Sequence, residues 1–183
     1  LYRNEAWLKK NEVEKVVMES AQAREAAKAK GELESIRAAA ERGGVEAQYT
    51  LGTRYRVGQG VAKDLKEAVK WCRKAAEQNL PKAQNLLGYM YAKGEDIPKN
   101  DQEALKWYRK AAEQGLAVAQ SNLGIFYAAG RGVGKDPVEA YKWYSLAITN
   151  GYTKAKSIRD KLSKNMTPEQ IIKAEAQIKE MIE

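Results

Sequence analysis

A motif that returns every 36 residues limits this chain to an array of stacked units. Ala47-Gln48-Tyr49-Thr50-Leu51-Gly52 recurs as Ala83-Gln84-Asn85-Leu86-Leu87-Gly88 and as Ala119-Gln120-Ser121-Asn122-Leu123-Gly124. Tyr55, Tyr91 and Tyr127 keep the same offset, as do Trp71, Trp107 and Trp143. Lys74-Ala75-Ala76 matches Lys110-Ala111-Ala112, and the third copy drifts to Leu146-Ala147-Ile148. No insertion breaks the register. A unit this short cannot bury its own apolar stripe, but a neighbouring copy can cover it.

Each unit predicts two helices. Ala47, Leu51 and Tyr55 fall four residues apart and share one face of the first helix. Gly52, Gly88 and Gly124 sit inside it, where glycine costs about 1 kcal/mol relative to alanine. The repetition points to a close helix approach that a Cβ would block. The second helix begins at Asp64, Asn100 and Asp136, with Glu67, Glu103 and Glu139 three residues on, the spacing of a capping box. Pro137 suits a first helical turn. Ala68, Trp71, Ala75 and Ala76 form its apolar stripe. Asn79, Gly115 and Gly151 stand where a left-handed residue ends a helix, and Gly58-x-Gly60-Val61 and Gly130-x-Gly132-Val133 mark the inner turn.

The array has ends that depart from the repeat. Residues 31–43 fit half of an earlier unit, with Ser35 in place of tryptophan, and 44–151 hold three full units. Residues 1–30 carry Val13, Val16, Val17 and Ala21 at helical spacing and read as an N-terminal non-repeat helix or cap. Residues 152–183 read as C-terminal capping helices. Thr167-Pro168-Glu169-Gln170 starts the last of them, and Ile171, Ile172, Ala174, Ile178 and Ile182 predict an oily face toward the array. The fold class is therefore all-α, an α-solenoid of antiparallel helix–turn–helix units.

These motifs resemble the Sel-1-like repeat, a relative of the tetratricopeptide repeat with a longer inner turn. The resemblance rests on Ala-Gln-x-x-Leu-Gly-x-x-Tyr from Ala47 to Tyr55, the Gly-x-Gly-Val turn, and Glu-Ala-x-Lys-Trp-Tyr-x-Lys-Ala-Ala-Glu-Gln-Gly from Glu103 to Gly115. The Thr-Pro-Glu-Gln ending is similar to bacterial members. Three departures are local: Cys72 for tyrosine, Asn79 for glycine, and Asp96 for the second turn glycine of the middle unit. Cysteine-rich members with a disulfide in each unit have been linked to penicillin binding, which does not carry over to a chain with one cysteine. The resemblance implies a non-catalytic adaptor or scaffold that binds another protein or peptide.

Chemistry points the same way. The chain has no histidine and one cysteine, which removes the commonest general base, the usual zinc ligands and any internal disulfide. No cofactor or metal is expected. Gly130-Arg131-Gly132-Val133-Gly134-Lys135 lacks the strand and the Lys-Ser/Thr pair of a phosphate loop. Cys72 reads as a packed small hydrophobe and the tryptophans as core. The net charge of +8 is interspersed with acids, as in Lys63-Asp64-Leu65-Lys66-Glu67, and even the basic stretch Lys154 to Lys164 contains Asp160. That pattern describes a solvated helix surface better than a nucleic-acid or anionic-membrane site. A carboxylate-dependent hydrolase is the remaining alternative, and no paired acids stand outside the capping positions. No apolar run is long enough to span a membrane. Leu1 opens the sequence, so a cleaved signal peptide and a trimmed chain read alike. The compartment, cytoplasmic or periplasmic/secreted, stays open.

By analogy with tetratricopeptide repeats, the first helices line a concave side. Stepping off their core face nominates Tyr49, Thr53 and Arg56, with Glu46, in the first unit. The second unit offers Lys82, Asn85, Tyr89 and Lys93, and the third Ser121 and Ile125, with Val118 and Ala129. The cations in this set favour an acidic partner segment.

Overall fold

A computed structural model describes residues 2–94 and 97–182, with side chains described at residue 12 and from residue 14 onward. Asp96, one of the three departures, lies outside the described residues. So does the Val13 side chain. The described residues are all helix and turn: α1 (Tyr2–Glu41), α2 (Val45–Val57), α3 (Leu65–Glu77), α4 (Pro81–Lys93), α5 (Asp101–Glu113), α6 (Ala117–Ala129), α7 (Pro137–Thr149), α8 (Ala155–Ser163) and α9 (Pro168–Ile182). Successive helices from α1 to α8 pack against one another, and α9 returns to pack on α7.

Helices α2 to α7 each span 13 residues and end on the expected signals. The first helix of each unit stops at Gly58, Gly94 or Gly130, all left-handed with φ of 78°, 70° and 71°. The second stops one residue before Asn79, Gly115 or Gly151. Asn79 is the sole non-glycine among the described residues at positive φ (68°), a region asparagine tolerates.

The caps form differently from the expected reciprocal box. Asp64, Asn100 and Asp136 accept from the N–H groups two and three residues on, at 2.9–3.1 Å. Their own N–H groups, however, donate to the carbonyls of Tyr55, Tyr91 and Tyr127 in the preceding helix. That leaves the N3 glutamates free for another task. Glu67 and Glu139 accept from the indoles of Trp71 and Trp143 at 3.0 Å, and from Lys70 and Lys142. Reciprocal capping occurs at α9, where Gln170 N–H donates to Thr167 Oγ1 and Thr167 N–H to Gln170 Oε1.

The core holds the repeated residues. Leu51, Leu87 and Leu123, the three tryptophans and the alanine pairs are buried. A Cβ added at Gly88 would stand 2.9 Å from the Tyr108 ring, and one at Gly124 2.8 Å from Tyr144. The helix approach inferred from the repeating glycine is therefore a contact between the two helices of one unit.

Two polar ladders follow the same period. Buried Gln48, Gln84 and Gln120 donate to the carbonyls of Ala40, Ala76 and Ala112 in the preceding second helix, at 3.1–3.2 Å. Their oxygens accept from Gln78, Gln114 and Asn150 of their own unit at 2.7–3.0 Å. Asn79 joins this ladder, because its Oδ1 accepts from both Gln84 and Gln114. In the second ladder Arg37, Arg73 and Arg109 donate to the hydroxyls of Tyr55, Tyr91 and Tyr127 in the next first helix.

The ends carry two differences from expectation. Helix α1 runs without a break through residue 30, and from residue 14 to 32 its described side chains are exposed. Leu33, Ile36 and Ala40, within the half-unit, cover the first repeat. In α9 the buried side is narrower than the five residues foreseen. Ala174 is buried and Ile171 and Ile178 half-buried, whereas Ile172 and Ile182 are 65% and 60% exposed. Adjacent residues on a helix diverge by about 100°, so Ile171 and Ile172 cannot both meet α7.

Candidate functional groove

Residues from α2, α4 and α6 surround two adjoining depressions. One, of about 310 Å³, is lined by Arg56, Asn85, Leu86, Tyr89, Val118 and Asn122. The other, of about 350 Å³, is lined by Tyr89, Ala92, Lys93, Lys99, Tyr108, Asn122, Ile125, Phe126 and Arg131. Tyr89 and Asn122 belong to both and form the ridge between them. The repeat itself brings these helices together, since every first helix lies one unit from the next on the same side of the stack.

Six of the twelve nominated residues gather here: Arg56, Asn85, Tyr89, Lys93, Val118 and Ile125. Glu46 and Ala129 line neither depression, and four others lie elsewhere. Tyr49 is half-buried and packs on the core around Ala68 and Cys72. Burial first, then Cys72, raises its phenol above the ordinary range. Thr53 is half-buried and donates to the Thr50 carbonyl of its own helix at 2.7 Å. Lys82 lines a separate shallow depression with Leu80, Pro81, Gln114, Gly115 and Leu116. Ser121, expected to face outward, is 3% exposed. A side chain that short does not reach past its neighbours, and Asn122, one residue on, takes its place in the groove.

Asn122, Arg131 and Lys99 were not nominated. Asn122 Nδ2 donates to Asn85 Oδ1 at 3.0 Å, joining α6 to α4. Arg131 comes from the turn between α6 and α7. It donates to both oxygens of Asp101 and to the Ala92 carbonyl, and stacks 4.3 Å from the Phe126 ring centroid. Lys99 Nζ stands 3.5 Å from the same carboxylate. The interrupted Gly-Arg-Gly turn was the one available signal for Arg131, read in the sequence only as a failed phosphate loop.

The groove's electrostatics follow from which cations are already spent. Asp101 accounts for Arg131 and Lys99, and those groups hold its carboxyl below the ordinary range. Lys93 reaches over the Tyr89 ring, 5.7 Å from its centroid. No ion pair ties Lys93 or Arg56 to an acid among the described residues. The Arg56 Nε–H is buried and lacks a hydrogen-bond partner. Tyr89 and Ile125 are 36% and 38% exposed, so the groove presents an aromatic and an aliphatic surface beside two cations that have no ion pair among the described residues.

The opposite side of the stack is built otherwise. Lys74 and Lys110 lie 4.5 and 4.8 Å from the indole centroids of Trp71 and Trp107, and with Lys70, Lys106 and Lys142 they lie over the tryptophan rings. Lys70, Lys106 and Lys142 also pair with Glu67, Glu103 and Glu139. Cys72 is buried under Gly52, and burial pushes its thiol up to about 12. Among the described residues no three His, Cys, Asp or Glu side chains group as metal ligands, and no helix is long and apolar enough to cross a membrane.

The Sel1 repeat family matches three consecutive segments, residues 45–80, 81–116 and 117–152, more than half of the chain. The solved Sel1 repeat protein from Oxalobacter formigenes is 42% identical, with a TM-score of 0.65, over 71% of this chain and 98% of that one. The protein c5321, a protective antigen present in uropathogenic Escherichia coli strains and displaying an SLR fold, is 34% identical with a TM-score of 0.63. That match covers 82% of this chain and 40% of that one. Cysteine rich protein B of Helicobacter pylori, 24% identical with a TM-score of 0.54, covers 69% of this chain and 96% of that one and shares the fold. No curated protein matches.

Proposed function

The chain belongs to the Sel1 repeat family, and from that premise we propose that it is a non-catalytic adaptor that binds a partner protein in the groove between α2, α4 and α6. The observation that carries this reading is the pair of depressions on either side of Tyr89, with exposed aromatic and aliphatic surface and, at Arg56 and Lys93, cations with no ion pair among the described residues. Aromatic and arginine side chains in partly enclosed pockets are where binding energy concentrates. The unspent cations favour an acidic segment of the partner. Family membership supports the protein-binding role, since Sel1 repeats typically mediate such contacts. It does not by itself select the groove.

The test is a comparison of two faces. Affinity purification with the full chain is set beside the same experiment with Arg56→Glu/Tyr89→Ala and with Lys74→Glu/Lys110→Glu. The groove variant is expected to lose the partner and the outer-face variant to keep it. Retention of the partner by the groove variant contradicts the proposal.

A further inference from the structure

Helix α1 carries a face that the array leaves uncovered. From residue 14 to 32 its side chains are exposed, with Val16 and Val17 at 64% and 59%. Successive residues on a helix turn by about 100°, so Val16, Ser20, Ala23 and Ala27 fall on one stripe, with Val17 and Ala26 at its edges. Leu33, Ile36 and Ala40, which cover the first repeat, lie about 140° around the helix from that stripe. The stripe therefore points away from the array, and a second helix can lie along it clear of α2.

Reversed, the stripe is complementary to itself. About a midpoint between residues 21 and 22, Val16 faces Ala27 of an antiparallel copy, a branched side chain against a small one, and Ser20 faces Ala23. The Ser20 hydroxyl donates to the Val17 carbonyl of its own helix at 2.8 Å, so covering it leaves no donor unpaired. The same alignment brings Glu12 beside Lys30 on one flank of the stripe, twice by symmetry. Neither has an ion pair among the described residues. More broadly, acids outnumber bases from residue 12 to 19 and bases outnumber acids from 24 to 30. A parallel copy would set Glu12 on Glu12, Lys30 on Lys30 and Val16 on Val16. Charge and shape both select the antiparallel pair.

We infer that the occupant of this face is a second copy of the chain, its α1 running antiparallel, and that the protein is a dimer joined through α1. The two arrays then stand at opposite ends of the helix pair. This inference is independent of the groove reading above.

Sedimentation equilibrium of the full chain across a micromolar range of concentrations tests the state. A mass of twice the 20.5 kDa chain is expected. Val16→Glu/Ala23→Glu changes two positions exposed in the single chain and keeps good helix formers there. It should weaken association about a hundredfold or more, since each dimer loses two covered valines. Glu12→Lys should weaken it about fivefold through two repelling pairs, and Glu12→Lys/Lys30→Glu should restore it. For orientation, chains carrying Val16→Cys and Ala27→Cys are mixed and oxidised, and the linked peptides are identified by mass spectrometry. Position 16 of one chain is expected to join position 27 of the other, with the buried Cys72 taking no part.

A chain that stays monomeric at every concentration overturns the inference. So does a dimer that the double glutamate variant leaves intact. Linkage of 16 to 16 and 27 to 27 without the mixed product, or a charge exchange that restores nothing, overturns the antiparallel arrangement.

Discussion

Arg131 grips Asp101, with Nη2 2.5 Å from Oδ1 and Nε 3.3 Å from Oδ2, and so fastens the inner turn of the third repeat to the second helix of the second. Leu65 and Pro137 occupy the place of Asp101 in the other repeats, so this link occurs once. It also closes one wall of the groove, which makes it the point where stability and the site meet.

The Arg131 hydrogen bond, then its charge and that of Lys99, lower the Asp101 pKa in the folded chain. A carboxylate with a depressed folded pKa adds stability above its unfolded pKa of about 3.9 and loses it as pH falls through the folded value. Asp101→Asn is therefore expected to be less stable than the parent at pH 7, with the gap closing below about pH 4. Urea unfolding of both chains across that range reads the effect.

Gly88→Ala is expected to destabilise by roughly 1–3 kcal/mol, the usual cost of overpacking, because its Cβ would meet the Tyr108 ring at 2.9 Å. The same change made with Tyr108→Ala should cost less than the two single changes together. A double-mutant cycle in denaturant measures the coupling.

The three tryptophans share a position but differ in partners. Trp71 and Trp143 donate to Glu67 and Glu139, whereas the buried Trp107 Nε1 has no acceptor. Replacement by phenylalanine removes a used hydrogen bond at Trp71 and relieves an orphaned donor at Trp107. Trp107→Phe is thus expected to be the milder change by about 1 kcal/mol, read from paired unfolding curves.

Cys72 is buried and its thiol pKa is pushed up to about 12. Since the thiolate is the nucleophile, native protein at pH 8 should resist a thiol-specific disulfide reagent. Rapid and complete modification is expected once the chain is unfolded in guanidinium chloride.

The repeat made much of this architecture legible. Glycine, asparagine and aspartate at fixed offsets set the helix ends, and the alanine and tryptophan stripe set the core, because those are local signals that recur. What stayed hidden depends on rotation and on partners from other units. Gln48, Gln84 and Gln120 were visible as repeated residues, yet their role needs the facing carbonyls of Ala40, Ala76 and Ala112. Arg37, Arg73 and Arg109 kept the 36-residue offset as well, unread because their tyrosines lie in the next unit. In the groove, one step of helix rotation exchanged Ser121 for Asn122. At the N-terminus the repeat pattern stops at residue 31, but α1 runs on through that point, since a glycine there costs only about 1 kcal/mol inside a helix.

The most direct test of the groove is site-specific photocrosslinking. A benzophenone side chain placed at Tyr89 or Ile125 reports on the groove, and one placed at Lys74 or Lys110 reports on the outer face. Adducts with the same partner are expected from positions 89 and 125 and not from 74 or 110. Adducts from 74 and 110 alone would contradict the account.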